Sequence, residues 1–176
     1  MQFDSFTLSE GDLGWNVQFP FPSSQRAVIE NAILEVNPPE PPYKGLDELL
    51  AKELVAHGYF SEHARDEEVQ LWRPEHKHTV DLYSPKHSIA IEIEKTERKK
   101  IVHDLLKIHN GGLTFVPRVR YGVIIFPRNY VSGSGKQHPF GTSAVIRDLN
   151  FYYRPLFARG PIDDILCIAY YPENDD

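Results

Sequence analysis

Three acidic residues stand in a pattern that suits the binding of a hard divalent cation. Glu92 and Glu94 alternate with isoleucines in the stretch SIAIEIE, and Asp81 lies in the preceding stretch HTVDLYS. Side chains alternate between the two faces of a strand, so Glu92 and Glu94 share a face. Crowded carboxylates repel one another unless a cation lies between them, and oxygen ligands without a thiolate favour Mg²⁺ or Mn²⁺. The pattern predicts a Mg²⁺ site, in which Mn²⁺ can substitute, formed by Asp81, Glu92 and Glu94.

The acidic residues have two interpretations. In the first, a metal site would lower the pKa of a bound water and neutralise charge on an attacked phosphate, which suits phosphodiester hydrolysis. Acidic side chains that alternate with isoleucine are also typical of an amphipathic surface strand, with Lys95 as a salt-bridge partner. From the seven residues of the second strand alone, the solvated surface is favoured.

The two strands must pair in a suitable register to bring Asp81 to the glutamates. If Tyr83 pairs with Ser88 across the turn, Asp81 lies opposite Ala90, and Glu92 is its diagonal neighbour on the same face. The prediction needs a turn of even length, because an odd one would move Asp81 to the opposite face.

The order of the predicted elements indicates an α/β fold with a central mixed β-sheet flanked by helices. At 176 residues we expect one domain, with an N-terminal arm (1–22), a core (46–126) and a C-terminal helix and strand (127–176). The elements are two helices (QRAVIENAILEV and LDELLAKELVAH), the hairpin, a helix (RKKIVHDLLKIH) closed by Asn110-Gly111-Gly112, a strand (RYGVIIFP), a loop (VSGSGKQHPFG), a helix (SAVIRDLNFYYRPLF) and a last strand (DILCIAYY).

Composition and charge narrow the class of protein. The chain is 41% hydrophobic and 25% charged, and it has no apolar run of about 18 residues, so we expect a soluble protein that does not enter a membrane. The single cysteine, Cys167, is expected to be a free thiol in a reducing, cytoplasmic compartment. The net charge of −6 weighs against a nucleic-acid partner, but acidic residues crowd 30–68 and 172–176 while basic residues crowd 95–160.

The acidic pattern resembles the motif of a known superfamily. Asp81 followed by Glu92-Ile93-Glu94 on adjacent strands, and then by a helix, resembles the PD-(D/E)XK nuclease motif. The usual form has a lysine two positions after the second acidic residue, where this chain has Glu94, as in the variant of BamHI- and BglII-type restriction endonucleases. The similarity extends to Leu105-Leu106-Lys107 in the following helix and Gly122-Val123-Ile124-Ile125 in the next strand.

The resemblance, which covers residues 46–126, implies a Mg²⁺-dependent DNA endonuclease. It implies that Asp81 and Glu92 are metal ligands and that Glu94, in the position of the lysine, is a general base or a ligand that orients water. Lys95 is one residue out of register, so it points to the opposite face unless a bulge intervenes, and it is a candidate phosphate contact.

Members of this superfamily often add a carboxylate from the helix before the sheet. Glu53 lies among leucines on the predicted apolar face of its helix, where a charged residue needs a reason such as the active site. Glu48 is the alternative, although it sits away from the main apolar stripe. For either residue alone, a helix-surface position is favoured.

The resemblance also implies a partner and an assembly. Double-stranded DNA is the expected partner, and a homodimer is expected because two symmetric active sites cut a palindromic sequence. The alternatives are a repair or phage-type nuclease without strict sequence specificity and an inactive nuclease-like binding module. The expected phosphate contacts are Arg98, Lys99, Lys100, Arg118, Arg120, Arg128 and Lys136.

Overall fold

A computed structural model of the protein describes residues 1–10, 15–36, 43–61, 79–95, 99–115, 117–131, 137–139 and 142–171. These residues form the predicted α/β fold, with a six-stranded mixed sheet and helices on both of its faces. The strands are β1 (Gln2–Thr7), β2 (Phe60–Ser61), β3 (Leu82–Ser84), β4 (Ile89–Ile93), β5 (Tyr121–Pro127), β6 (Asn129–Val131), β7 (Gln137–Pro139) and β8 (Asp164–Tyr171). The helices are α1 (Ser23–Glu35), α2 (Leu46–Leu54) with a 3-10 turn (Val55–His57), α3 (Lys100–Thr114), α4 (Thr142–Asp148), a π-helical turn (Leu149–Tyr153) and α5 (Arg154–Phe157).

The strand order of the main sheet is β1-β8-β5-β4-β3-β2. The central strands β4, β5 and β8 are parallel to one another. The outer strands run antiparallel to their inner neighbours: β1 to β8, β3 to β4, and β2 to β3. The carboxyl ends of the three parallel strands therefore meet at one edge, which is where open α/β sheets commonly bind ligands. A separate hairpin of β6 and β7 follows β5.

Two hydrophobic layers cover the sheet. One contains residues of α3, α4 and the π-helical turn, such as Leu105, Val145 and Leu149, and packs against Ala90 of β4. The other contains residues of α1 and α2 and packs against Ile89, Ile91 and Ile93 of the same strand. The side chains of β4 thus alternate between the layers as predicted. Among the described helices, none is long and apolar enough to cross a membrane.

The β3–β4 hairpin has a register that is shifted by two residues from the expected one. Tyr83 pairs with Ala90 rather than with Ser88. The turn still has an even number of residues, 85–88, so the parity that the prediction required is kept. Ser88 has a φ of 57°, a left-handed conformation that closes the turn one residue later than expected. Extended by one pair, this register places Asp81 opposite Glu92 itself.

Helix α3 does not end at Asn110-Gly111-Gly112 as predicted, but continues to Thr114. Both glycines lie within the helix, where they allow close packing against neighbouring segments rather than forming a helix cap. A Cβ at Gly111 would lie 2.9 Å from Cγ2 of Val119, and one at Gly112 would lie 2.5 Å from Cγ of Pro161. The glycines therefore let the helix approach the segments that precede β5 and β8.

The stretch VSGSGKQHPFG is not a loop throughout, because residues 137–139 of it form β7. The strand pairs with β6, which supplies the backbone partners that a free loop would lack. Lys136 lies outside the described residues. The helix predicted to follow is interrupted by the π-helical turn, and the last strand is confirmed as β8.

Candidate active site

Asp81 and Glu92 meet where the β3–β4 hairpin reaches the carboxyl edge of the sheet. Glu92 lies in β4 and is only 2% exposed, and Asp81 is the residue before β3. Oδ2 of Asp81 accepts a hydrogen bond from the backbone N–H of Ile93, with 2.6 Å between the two heavy atoms. The structure therefore brings together two of the three predicted acidic residues and anchors one to the strand that carries the other.

Glu94 directly follows β4 and is 5% exposed. Its backbone N–H donates to the carbonyl oxygen of Ile125 at 2.8 Å, which continues the parallel pairing of β4 with β5. By strand alternation Glu94 shares the side of Glu92, and its charge contributes to the raised pKa of Asp104 on α3. All three predicted carboxylates thus lie at the same edge of the sheet.

A lysine of α3 shares this site, although the sequence pattern did not mark it as a functional residue. Nζ of Lys107 lies 2.5 Å from Oε2 of Glu92 and 3.5 Å from Oδ1 of Asp104. It also donates to the backbone oxygen of Thr79 at 3.1 Å. A half-buried ammonium group therefore connects a strand carboxylate, a helix carboxylate and the segment before β3.

The spacing of α3 contained a signal for these two residues. Ile101, Leu105 and Ile108 form the buried stripe of the helix, and Asp104 and Lys107 recur within it at three- and four-residue intervals. Charged residues in an apolar stripe need buried partners. In the sequence, Glu53 is a candidate because a charged residue on an apolar helix face needs a reason such as an active site. The same reasoning would have identified Asp104 and Lys107.

Electrostatic effects in the site follow mainly from burial. Burial raises the pKa of Glu92 well above its ordinary value; Asp81 adds to this rise, and Lys107 opposes it. Burial also raises the pKa of Asp81 to about 6, against the hydrogen bond from Ile93 and the charge of Lys107. Burial acts to lower the pKa of Lys107, but Glu92, Asp104 and Asp81 together raise it. Lys107 is therefore a cation at neutral pH, while burial opposes the ionisation of Glu92 and Asp81.

The residues present fit a divalent cation held by a pair of carboxylates. Oε1 of Glu92 is buried and has no hydrogen-bond partner among the residues that the structure describes, although the other carboxylate oxygen is paired with Lys107. Within the described part of the chain, no three His, Cys, Asp or Glu side chains form a cluster that could hold a metal ion by themselves. Mg²⁺ is commonly held by one or two carboxylates, with water and substrate phosphate completing its shell. Asp81 and Glu92 suit that arrangement.

Lys95 points away from Glu92, as its position one residue out of register predicts. Its Nζ lies 2.6 Å from Oδ1 of Asp47, the second residue of α2, on the opposite face of the sheet from Lys107. Asp47 lines a cavity of about 310 Å³ that Asp81 also lines. Asp81 therefore lines a cavity together with residues of α2, while the charges of Lys107 and Asp104 on α3 influence the pKa of its carboxyl group.

Glu53 is not on the buried face of α2 as predicted, but is exposed. The buried residues of this helix are Leu46, Leu50 and Leu54, and Glu53 stands four residues after Leu49, which is itself 38% exposed. Four leucines in the sequence suggested a broad apolar face, whereas the real one is a narrow stripe. The alternative residue, Glu48, lines the cavity beside Asp81.

Three of the expected phosphate contacts lie at the same edge as the acidic site. Lys99 and Lys100 are exposed where α3 begins, and Arg128 is exposed directly after β5, with its guanidinium 4.7 Å from the centre of the Tyr171 ring. These residues follow the carboxyl ends of β4 and β5. Arg98 lies outside the described residues.

The structure does not bring Arg118 and Arg120 to the acidic site. Both precede β5, and the backbone N–H of Arg120 donates to the carbonyl oxygen of Ser88 at the opposite edge of the sheet. A strand rises about 3.3 Å per residue, so the six residues from Ser88 to Glu94 separate these edges by roughly 20 Å. Nε of Arg120 also lies 2.6 Å from Oδ2 of Asp163. The basic stretch of the sequence is therefore divided between two edges.

We expect the Asp81→Asn substitution to stabilise the metal-free protein at neutral pH. The pKa of Asp81 is raised from 3.8 to about 6 in the folded state, so the folded protein binds this proton more tightly than the unfolded chain. The contribution to stability is complete below the ordinary pKa and is lost as the pH rises through about 6. The rise corresponds to at most about 3 kcal/mol. Asparagine keeps an acceptor for the N–H of Ile93 and cannot ionise.

Urea unfolding in EDTA at about pH 4 and about pH 7.5 measures this effect, with a gain expected at the higher pH only. The exposed Asp4 of β1 provides the matched control, since Asp4→Asn removes a carboxylate in contact with water. An Asp81→Asn protein less stable than wild type at both pH values would show that its carboxylate stabilises the fold.

The mixed sheet, its helical layers and the acidic site at the carboxyl edge define a restriction-endonuclease-like α/β protein. The chain belongs to the family described as "Putative halobacteria restriction endonuclease", whose family model matches residues 41–170. That range runs from before α2 into β8 and includes every acidic residue of the site. Membership indicates a nuclease with DNA as its substrate. Neither the curated proteins nor the solved structures include a match to the chain.

Proposed function

We propose that the protein is a Mg²⁺-dependent type II restriction endonuclease, of the PD-(D/E)XK kind, that hydrolyses DNA phosphodiester bonds as a homodimer. The observation that carries the proposal is the pair of half-buried Asp81 and buried Glu92 beside the Lys107 ammonium, with one Glu92 oxygen that has no hydrogen-bond partner among the described residues. Buried carboxylates with raised pKa values at the carboxyl edge of an α/β sheet are common features of active sites.

The roles of the residues follow from their positions. Asp81 and Glu92 would hold the ion, and the hydrogen bond from Ile93 fixes the orientation of the Asp81 carboxylate. When bound, Mg²⁺ supplies a water of lowered pKa and neutralises charge on the attacked phosphate. Glu94, in the motif position that usually holds lysine, would orient the attacking water or accept its proton.

Lys107 supplies from α3 the ammonium group that the motif lacks at Glu94. Its charge lowers the pKa of Glu92 against the larger effect of burial, and so favours the ionised carboxylate while the ion is absent. The same ammonium offsets negative charge that develops on the phosphate during hydrolysis. It can do so because the backbone oxygen of Thr79 and Oδ1 of Asp104 hold it beside the acidic pair.

Cleavage of a long DNA of known sequence tests the proposal. We expect a discrete set of fragments with Mg²⁺ or Mn²⁺ and intact DNA with EDTA, and sequencing of the fragment ends would give the recognition site. A smear of fragments would favour a repair or phage-type nuclease without strict specificity. DNA that is bound but stays intact with either metal would favour a binding module. Light scattering of the purified protein would measure whether it is a dimer.

A further inference from the structure

The ion pair between Lys95 and Asp47 lies between α2 and the end of β4, at the wall of the cavity on the α2 side of Asp81. Nζ of Lys95 and Oδ1 of Asp47 are 2.6 Å apart, and the two side chains are 24% and 32% exposed. Asp47, Lys52, Ser61 and Asp81 all line this cavity, which has a volume of about 310 Å³. A volume of this order is typical of small-ligand pockets. The ammonium of Lys95 therefore lies within hydrogen-bonding distance of a residue in the pocket wall while still in contact with water.

Asp47 is itself firmly held, so it can fix the position of the lysine. It occupies the first turn of α2, where a carboxylate interacts favourably with the helix dipole. Burial acts to raise the pKa of Asp47, but Lys95 and the backbone amides of Asp47 and Glu48 lower it overall. A free lysine side chain has about 2 kcal/mol of rotamer entropy to lose when it binds a ligand. An ammonium already held by an anchored carboxylate has lost part of that freedom, and it keeps two N–H groups for another acceptor.

The charges around the cavity indicate what it would accept. Asp47, Glu48 and Asp81 bring three negative charges to the wall, and Lys52 brings one positive charge. Lys95 neutralises Asp47, and Lys52 offsets one of the other two carboxylates. The remaining negative charge corresponds to Asp81, one of the two proposed ligands of the ion. With a divalent cation at Asp81 the cavity becomes positive overall and suits a phosphate group.

We propose that this cavity binds a backbone phosphate of the DNA strand next to the one that is cut, and that Asp47 is a positioning residue that aims Lys95 at that phosphate. The inference rests on the proposed endonuclease function. A strand whose phosphate approaches the ion at Asp81 passes the mouth of the cavity, because Asp81 forms part of its wall. Lys95, two residues beyond Ile93, then contacts the strand from the face opposite Lys107.

Fluorescence anisotropy of a labelled DNA duplex, with Ca²⁺ replacing Mg²⁺ and at several salt concentrations, tests the inference without cleavage. We expect Lys95→Ala to lower affinity about tenfold and to reduce the salt slope by about 1. Asp47→Asn should lower affinity in the same direction, and the double variant should be no weaker than Lys95→Ala alone. Asp47→Glu, which keeps the carboxylate, should restore part of the loss. Lys86→Ala, in the turn at the opposite edge, is the matched control.

Three results would overturn the inference. Unchanged affinity and salt slope in Lys95→Ala would show that the lysine makes no phosphate contact. Tighter binding by Asp47→Asn would show that Asp47 competes with DNA for Lys95. A lower melting temperature of Asp47→Asn with unchanged binding would show that the ion pair only joins α2 to the sheet. A wild-type protein that binds the duplex with Ca²⁺ but never cuts it with Mg²⁺ would refute the endonuclease proposal separately, because the binding comparison needs no cleavage.

Discussion

Replacing Glu92 by Gln is expected to reduce DNA cleavage by at least about 10³-fold, or about 4 kcal/mol, while the protein remains folded. Glutamine has nearly the same shape and keeps an oxygen that accepts a hydrogen bond from Lys107, so the packing around this buried residue is preserved. It loses the charge that would hold the cation. Because burial raises the pKa of Glu92, removing its charge should leave the stability of the metal-free protein unchanged or increased. Single-turnover cleavage with Mg²⁺, together with thermal unfolding in EDTA, measures both effects.

The matched control is Glu53→Gln, because Glu53 is a glutamate in contact with water on the outer side of α2. Its cleavage rate should equal that of wild type. Asp81→Ala, Glu92→Ala and Glu94→Ala are likewise expected to abolish cleavage. Full activity in the Glu92→Gln protein would contradict the assignment of Glu92 as a ligand, whatever the other variants showed.

The hairpin that carries the acidic residues could be predicted from the sequence because its information is local. Strict alternation of isoleucine with acidic or small residues gives the two faces of β4, and strand parity then relates Glu92 to Asp81. The exact pairing could not be predicted, since it depends on the left-handed conformation of Ser88, a residue without a strong preference for positive φ. A register shift of two residues leaves every side chain on its face, so the prediction that Asp81 lies near Glu92 was insensitive to this error.

The contacts that complete the site come from residues far apart in the chain. Lys107 reaches Glu92 because α3 returns across the sheet, and Lys95 meets Asp47 because α2 covers the other face. No spacing in the sequence encodes either distance. A helix pattern predicts that a charged residue is buried, as it does for Asp104, but not which partner it meets. The local acidic motif could therefore be predicted from the sequence, whereas the positions of the lysines that balance its charge could be seen only in the tertiary structure.

Replacing Lys107 by Met is expected to destabilise the protein by about 3 kcal/mol at neutral pH and to reduce cleavage strongly. Methionine has a similar length but no charge, so the loss would come from the charge rather than from a cavity. Without the ammonium, the pKa values of Glu92, Asp104 and Asp81, to which it contributes a lowering effect, would rise further. A raised carboxylate pKa costs stability as the pH increases, so the deficit should be largest at neutral pH and should shrink as the carboxylates become protonated near pH 4.

Urea unfolding of Lys107→Met across this pH range tests the prediction, with Lys107→Arg as a charge-preserving variant and Lys86→Met as an exposed control. Mg²⁺ should raise the melting temperature of Lys107→Met more than that of wild type, because the ion would then meet two carboxylates without a competing ammonium 2.5 Å from Glu92. The roles of Lys107 are thus separable. A variant that binds Mg²⁺ more tightly and yet cleaves poorly would show that the ammonium acts on the phosphate rather than on the ion, whereas wild-type cleavage by Lys107→Met would limit it to balancing the buried charge of Glu92.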